Sequence, residues 1–388
     1  MRNANDLIEK IGIDKTVITN FTINTLDIKY LKSIKVDIIT DDNSLLKTND
    51  NIGIRILKLT DSYFGKLECG MTNANPKKIY MAYTKLTLSV SNYDNLQNLS
   101  VCEYKQRINQ VFKYIKDKYK IDIIYDFQTL SISYMEINAT FKLNEDFYNY
   151  KRALLILMIN LPINKYSYKN NHTIKYKSFY EVNQNLNTAK LETLWVKNSS
   201  IELIIYNKTK QLKDIKNIVL ENDYIRIEYK LKRKDSYIKV LGSTVGNLTD
   251  KKIKQFYINC IENDIFKPYE NYKYKIKDIF ESVLKPMLEH SERQWYRDFI
   301  RIVREYEQKN ILPMIIDIED IFPILKSYSK GNYSRRKKMV LRKANESERD
   351  LLGVTEKINE IINKLNFLQK KIFFYFLLKI RTKFAYQT

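Results

Sequence analysis

Three segments of this chain alternate in a way that would gather a nucleophile, two carboxylates and several cations on one surface. In Ile132–Lys142, the apolar Met135, Ile137, Ala139 and Phe141 alternate with Tyr134, Glu136, Asn138 and Thr140. In Tyr224–Lys232, Ile225, Ile227, Tyr229 and Leu231 alternate with Arg226, Glu228, Lys230 and Lys232. In Ile201–Lys208, Leu203 and Ile205 alternate with Glu202, Ile204, Tyr206 and Lys208. Successive side chains of a strand point to opposite faces. If the three strands pair in one sheet over a shared core, Glu136, Glu228, Tyr206 and Lys208 converge on one exposed, cationic face.

That grouping suits phosphodiester transesterification, which needs a nucleophile to store the bond energy, a divalent cation on the non-bridging oxygens, and cations around the phosphate. Tyr206 could attack the phosphorus to give a phosphotyrosine link. Glu136 and Glu228 are hard oxygen ligands for Mg²⁺ or Mn²⁺ acting as Lewis acid and template. Lys208, Lys210 and Arg226 would hold phosphate and help the phenol lose its proton. The same alternation also describes an ordinary half-solvated sheet whose Lys, Arg and Glu merely keep its outer face wet, and Tyr206 is one of 30 tyrosines.

The elements needed to position these residues are readable by periodicity. Strands are predicted at Ile23–Tyr30, Val36–Thr40, Asn51–Leu59, Lys85–Val90, Asp122–Ile124, Leu130–Lys142, Ile201–Lys208 and Tyr224–Lys232. Helices are predicted over Cys102–Lys120 and Asp146–Asn160, and Asn-rich stretches such as Lys169–His172 and Asn183–Asn187 read as loops. From about residue 270 strand signals fade, and Tyr274–Leu288, Ser291–Lys309, Ile316–Tyr328 and Ser347–Arg381 carry helical spacing. The expectation is an α+β fold: a largely antiparallel sheet domain over 1–268 for catalysis, then a helical domain over 269–388 for nucleic-acid binding or dimerisation.

Composition narrows the partner. Sixty-seven Lys and Arg against 45 Asp and Glu leave a net charge of +22, and a polyanion is the simplest counterpart, since each phosphate contact releases condensed counterions. The bias of an AT-rich genome toward Lys also contributes to this excess. Eight glycines and the lack of G-x-x-x-x-G-K-[ST] and G-x-G-x-x-G argue against a glycine-lined nucleotide loop. Three scattered cysteines and two histidines argue against a zinc site or a disulfide framework. The opening MRNANDLIEKIG has no apolar signal core, and Ile372–Leu378 is far too short to span a bilayer. A cytoplasmic protein of a bacterium or its mobile elements is expected, with no membrane partner.

At the three strands the chain resembles the phage and plasmid replication proteins of the filamentous-phage gene II type and, more distantly, the trans-acting rolling-circle plasmid initiators. The matching residues are Met135-Glu-Ile-Asn-Ala-Thr-Phe141, Ile205-Tyr-Asn-Lys-Thr-Lys-Gln-Leu212 and Tyr224-Ile-Arg-Ile-Glu-Tyr-Lys-Leu-Lys-Arg-Lys234, followed by Leu241-Gly242. The resemblance covers roughly residues 130–250. It implies that Tyr206 is the nicking nucleophile of an enzyme that cuts and rejoins one strand at a replication origin, with DNA as substrate and a host helicase as a further partner. The His-hydrophobe-His metal motif of many such nucleases is absent. Either the metal site is carboxylate-based or His172 supplies one ligand. Two other readings remain: a conjugative relaxase, which usually carries a histidine triad this chain lacks, and a non-catalytic origin or operator binder.

Further cations are candidates for DNA contact. Lys210, Lys230, Lys232 and Arg233 follow the catalytic segments. Arg335, Arg336, Lys337 and Lys338 cluster beside the Gly331-Asn332 turn, with Arg342 and Lys343 beyond, and could grip backbone phosphates. They could equally form a solvated basic loop. Trp295, Phe299 and their neighbours read as core or dimer helices, and Phe373–Phe376 reads as buried, in a homodimer against a partner subunit.

Overall fold

The computed structural model describes residues 2–3, 9–34, 38–40, 54–75, 78–89, 98–159, 175–177, 193–197, 199–287, 322–329, 331–347 and 353–368, with positions 294, 297, 298 and 301. The strands are β1 (Arg2–Asn3), β2 (Lys10–Thr19), β3 (Thr22–Leu26), β4 (Ile38–Thr40), β5 (Ile54–Asp61), β6 (Gly65–Asn75), β7 (Lys78–Ser89), β8 (Ile121–Ile124), β9 (Ser131–Lys142), β10 (Lys175–Lys177), β11 (Thr193–Lys197), β12 (Ile201–Asn207), β13 (Ile218–Val219) and β14 (Tyr224–Leu231). Ten of them form one sheet in the order β10-β11-β12-β14-β9-β2-β7-β6-β5-β4. Every neighbouring pair in it is antiparallel. The α+β expectation therefore holds, with helices mostly in the C-terminal part.

The predicted apolar faces do pack on one core. Met135, Ile137, Ala139, Phe141, Leu203, Ile205, Ile225, Ile227, Tyr229 and Leu231 all belong to a single buried cluster. Two helices contribute to that cluster from the same side. The helix Val101–Tyr119 opens with a capping box between Ser100 and Glu103 and buries Tyr104, Ile108, Val111, Phe112 and Ile115, a spacing that places them on one helical stripe. Tyr104 donates its hydroxyl to Thr16 Oγ1 at 2.9 Å. The helix Asp250–Ile261 buries Ile253, Phe256, Tyr257 and Ile261, and Tyr257 donates to the Ile227 carbonyl at 3.0 Å.

Several expected boundaries shift. Ile23–Tyr30 is not one strand. It breaks after Leu26 because Asp27 accepts from the Tyr30 amide at 2.9 Å and starts the helix Ile28–Ser33, as an N-cap side chain does. Ile201–Lys208 ends one residue early: Asn207 accepts from the Lys210 amide at 2.9 Å and caps a helix over Lys208–Lys216. The basic residues after Gly331 lie on the helix Tyr333–Ser347 and not in a loop. Six strands, β1, β2, β6, β10, β11 and β13, carried no strand expectation. His172, His290, Phe299, Phe373–Phe376 and the Asn-rich loops lie outside the described residues.

Two features cross the position 268/269. Asp250–Ile261, a π turn at Glu262–Phe266 and Lys267–Met287 form one uninterrupted helical stretch. The helix over 354–368 places Val354, Ile358, Ile361, Leu365 and Leu368 in the sheet's own apolar cluster. Its Glu360 accepts from the Tyr150 hydroxyl at 2.5 Å and from the Asn144 amide at 3.0 Å.

Candidate active site

The polar face opposite the core is set by register. Pairing lines up Tyr206, Arg226, Thr140 and Lys10 across β12, β14, β9 and β2, with Ile204, Glu228, Asn138 and Gly12 in the next row. Glu202, Lys230 and Glu136 follow. There β2 carries an extra residue: Ile13 pairs with Ile137 and Thr16 with Met135, so Asp14 and Lys15 both sit opposite Glu136. A bulge of this kind bends the strand locally and re-aims its side chains. Gly12 is required beside it, because an added Cβ would lie 2.6 Å from the Leu99 carbonyl and 3.0 Å from Asn98 Cγ. Asn98 crosses above that glycine to donate to Asn138 Oδ1 at 2.9 Å.

The bulge brings Asp14 to Glu136 and Glu228, with carboxylate oxygens of all three within 4.8 Å of one another. Glu136 and Glu228 are buried. Burial, then the neighbouring Glu136 and Asp14 charges, pushes the Glu228 carboxyl up to about 7. Burial likewise raises Glu136, against the Tyr134 hydroxyl that donates to it. Lys230 Nζ lies 3.6 Å from Glu228 and 3.9 Å from Glu136, too little charge to balance three carboxylates. Clustered oxygen donors of this kind fit a hard divalent cation, whose binding would displace the proton that Glu228 partly holds near neutral pH.

Tyr206 sits at the edge of this cluster, 8% exposed, and donates to Glu228 Oε2 at 3.4 Å. Burial holds its phenol well above the usual range, while Arg226, which hydrogen-bonds it, favours the phenolate. The buried Arg226 also donates Nη1 to Asp14 Oδ2 at 2.7 Å and Nε to Thr140 Oγ1 at 2.8 Å. Its guanidinium therefore ties the Tyr206 phenol, the bulge carboxylate and the sheet together. Lys208 is buried too and donates to Gln211 Oε1 at 2.7 Å. Burial, with Arg226 adding to it, lowers its ammonium to about 7, so the amine is partly neutral near neutral pH. Tyr206, Lys208 and the three carboxylates line a pocket of about 590 Å³, with Arg226 behind them.

Tyr206, Lys208, Glu136, Glu228 and Arg226 are thus brought together, but the expected exposed face is a buried pocket floor. The reason is that the helix Lys208–Lys216 folds back beside the strand and its Lys210, Gln211 and Asp214 line the pocket with Tyr206. Lys210 stands at this rim, paired with Asp214 at 3.1 Å. Lys230 belongs to the carboxylate cluster, Lys232 pairs with Glu202 at 2.5 Å, and Arg233 is exposed past the end of β14. Arg335, Arg336, Lys337 and Lys338 do not line the pocket. Arg336 is buried and Lys337 lies over the Phe322 ring at 4.7 Å, so of these four Arg335 and Lys338 are exposed. Asp14 was missed by sequence reasoning. Its only signal was an acid within the apolar, β-branched run Ile11–Ile18 beside a glycine.

No family model matches this sequence, and no curated protein does. One solved structure, a rolling circle replication initiator protein from Geobacillus stearothermophilus, is similar over 66% of this chain and 86% of its own. Sequence identity is 9% and the TM-score 0.32, so what the site can do is judged from its own geometry.

The raised Glu228 carboxyl has a signed consequence for the metal-free protein. Its folded value, about 7, lies above the 4.5 of a free glutamate, so the stability it contributes is full below about 4.5 and is lost as pH rises through about 7. Thermal melts in chelator are expected to show midpoints falling across that window, and Glu228→Gln is expected to flatten the fall. An unchanged slope in the variant would count against the crowded-carboxylate description.

Proposed function

We propose that this chain nicks and rejoins one strand of DNA through a covalent tyrosine–phosphate intermediate, as a rolling-circle replication initiator does, with Tyr206 as nucleophile. The observation that carries this reading is the Tyr206 hydroxyl, 3.4 Å from Glu228 within a three-carboxylate cluster. Nucleophile, proton acceptors and cation ligands share one pocket. The order of the three motifs in the sequence supports the same reading.

In the proposed reaction the Tyr206 oxygen bonds to the scissile phosphorus as the bond to the 3′ oxygen breaks, the phenolic proton passes to a neighbouring base, and the leaving 3′ oxygen takes up a proton from solvent. The products are a 5′-phosphotyrosine and a free 3′ hydroxyl, and reversal rejoins the strand. Lys208 suits the base, since part of it is neutral near pH 7 and an acceptor is most effective when its pKa is near the working pH. Arg226 holds the phenol in place and favours its anion. Asp14, Glu136 and Glu228 would hold Mg²⁺ or Mn²⁺, which when bound polarises the phosphate oxygens. Lys210 at the rim would meet the flanking phosphate. The exposed Arg335 and Lys338 support a role for the helical region beyond residue 269 in holding duplex DNA away from the pocket.

Incubation with supercoiled plasmid bearing the cognate origin and Mn²⁺ is expected to give nicked circles and a denaturation-resistant protein–DNA adduct. Tyr206→Phe and chelation should each abolish both products, and an adduct that persists in Tyr206→Phe would contradict the assignment. The nicking rate is expected to rise with pH through about 7 as Lys208 loses its proton. Lys208→Arg, charged throughout, should lose that limb and on the order of 10²-fold or more in rate. A pH profile unchanged in Lys208→Arg would remove the lysine from the proton transfer.

A further inference from the structure

The polar face does not end at the carboxylates. Lys15 pairs with Ser89, and both line the pocket. From there the face continues across β2, β7, β6 and β5, because register places Val17 beside Thr87 and Thr19 beside Lys85. Thr87 in turn adjoins Lys66, Lys85 adjoins Glu68, and Tyr83 adjoins Gly70. Lys58 then faces Glu68 and Thr60 faces Lys66. Leu57, Leu59, Leu67, Cys69, Leu86 and Leu88 point the other way, into the core. The outer face is therefore continuous with the candidate active site.

Two properties of this extension single it out. Tyr83 is 44% exposed, although a large ring on a sheet normally packs against its cross-strand neighbour. That neighbour is Gly70, and the ring fills the space a Cβ would take: its Cε1 lies 2.5 Å and its Cδ1 2.7 Å from that position. The ring thus packs against the Gly70 position and still stays open to solvent over much of its surface, as a stacking platform requires. Around it the charges are unequal. Lys15 stands where the face joins the pocket, and among the described residues Lys58, Lys66 and Lys85 share this face with a single acid, Glu68, which lies 2.6 Å from Lys66 and 3.5 Å from Lys85. The two lysine side chains remain 42% and 43% exposed, held at fixed positions but still open to a polyanion.

We infer that the β5–β6–β7 face is a track for single-stranded DNA, with Tyr83 stacking a base roughly 20 Å along β7 from Ser89, at about 3.3 Å per residue, and the lysines following the phosphates. The inference rests on the nicking reading above, because that chemistry supplies a single strand leaving the pocket beside Lys15 and Ser89. Charge complementarity and continuity with the pocket favour this occupant over a protein partner.

The test uses the full chain in the Tyr206→Phe background, so that no strand is cut, with a fluorescent oligodeoxythymidine as probe. Tyr83→Ala is expected to weaken binding roughly tenfold, the loss of about one base stack, while Tyr83→Phe keeps it. Lys66→Ala with Lys85→Ala should lower the salt slope of binding by about 0.7 per lysine. On the otherwise unaltered protein, a strand carrying 5-bromodeoxyuridine should photo-crosslink to Tyr83, which a merely structural tyrosine would not do. Unchanged affinity in Tyr83→Ala together with crosslinks that avoid β6 and β7 would overturn the track. Nicking by the unmodified protein is scored separately: its absence overturns the functional reading, whereas nicking with no crosslink at Tyr83 overturns the track alone.

Discussion

Three carboxylates held within 4.8 Å of one another on a buried sheet face repel each other, and much of the surrounding architecture can be understood from how that repulsion is managed. One ammonium, Lys230, sits between Glu136 and Glu228, while Arg226 restrains Asp14. Burial, together with the charge that remains unbalanced, raises the Glu228 carboxyl to about 7. Burying a charge is costly unless it is paired, so an arrangement that gathers like charges and then buries them stores an affinity for a cation. The Tyr206 hydroxyl lies against the most strained member of the set. On the proposed reading, cation binding and release of the phenol are coupled through Glu228.

The scaffold makes this crowding tolerable by over-determining it. Asp14 is aimed by the bulge in β2, which works only because Gly12 lets Asn98 cross above the strand to Asn138. Arg226 binds Asp14, Thr140 and Tyr206 at once. On the opposite face Ile13, Ile137, Ile227 and Ile205 are fully buried, so a one-residue slip would exchange core for polar face. Register is thereby fixed by the apolar side, and the site inherits its geometry from that register.

This division explains what could be read in the sequence. Strand alternation in β9, β12 and β14 was legible because both faces carry distinct residue types, and it placed Glu136, Glu228, Tyr206 and Arg226 correctly on one side. Asp14 was not legible, because period-two reasoning has no means of locating an inserted residue and β2 lacks alternation around its bulge. Burial of the site was hidden too: whether a polar face meets water depends on the helix Lys208–Lys216, whose start is set by the Asn207 cap. The helical C-terminal part was visible by periodicity. That residues 354–368 pack into the sheet's core was not, since an amphipathic stripe does not name the surface it covers.

The central claim is that Asp14, Glu136 and Glu228 form a cation site beside Tyr206. The most direct measurement is Mn²⁺ binding to the unmodified chain at neutral pH, followed by electron paramagnetic resonance of the free ion. The account predicts a saturable site at one ion per chain, lost in Asp14→Asn and in Glu228→Gln but kept in Tyr206→Phe. Mn²⁺ binding that is absent in the unmodified chain, or unaffected by both carboxamide variants, would contradict it.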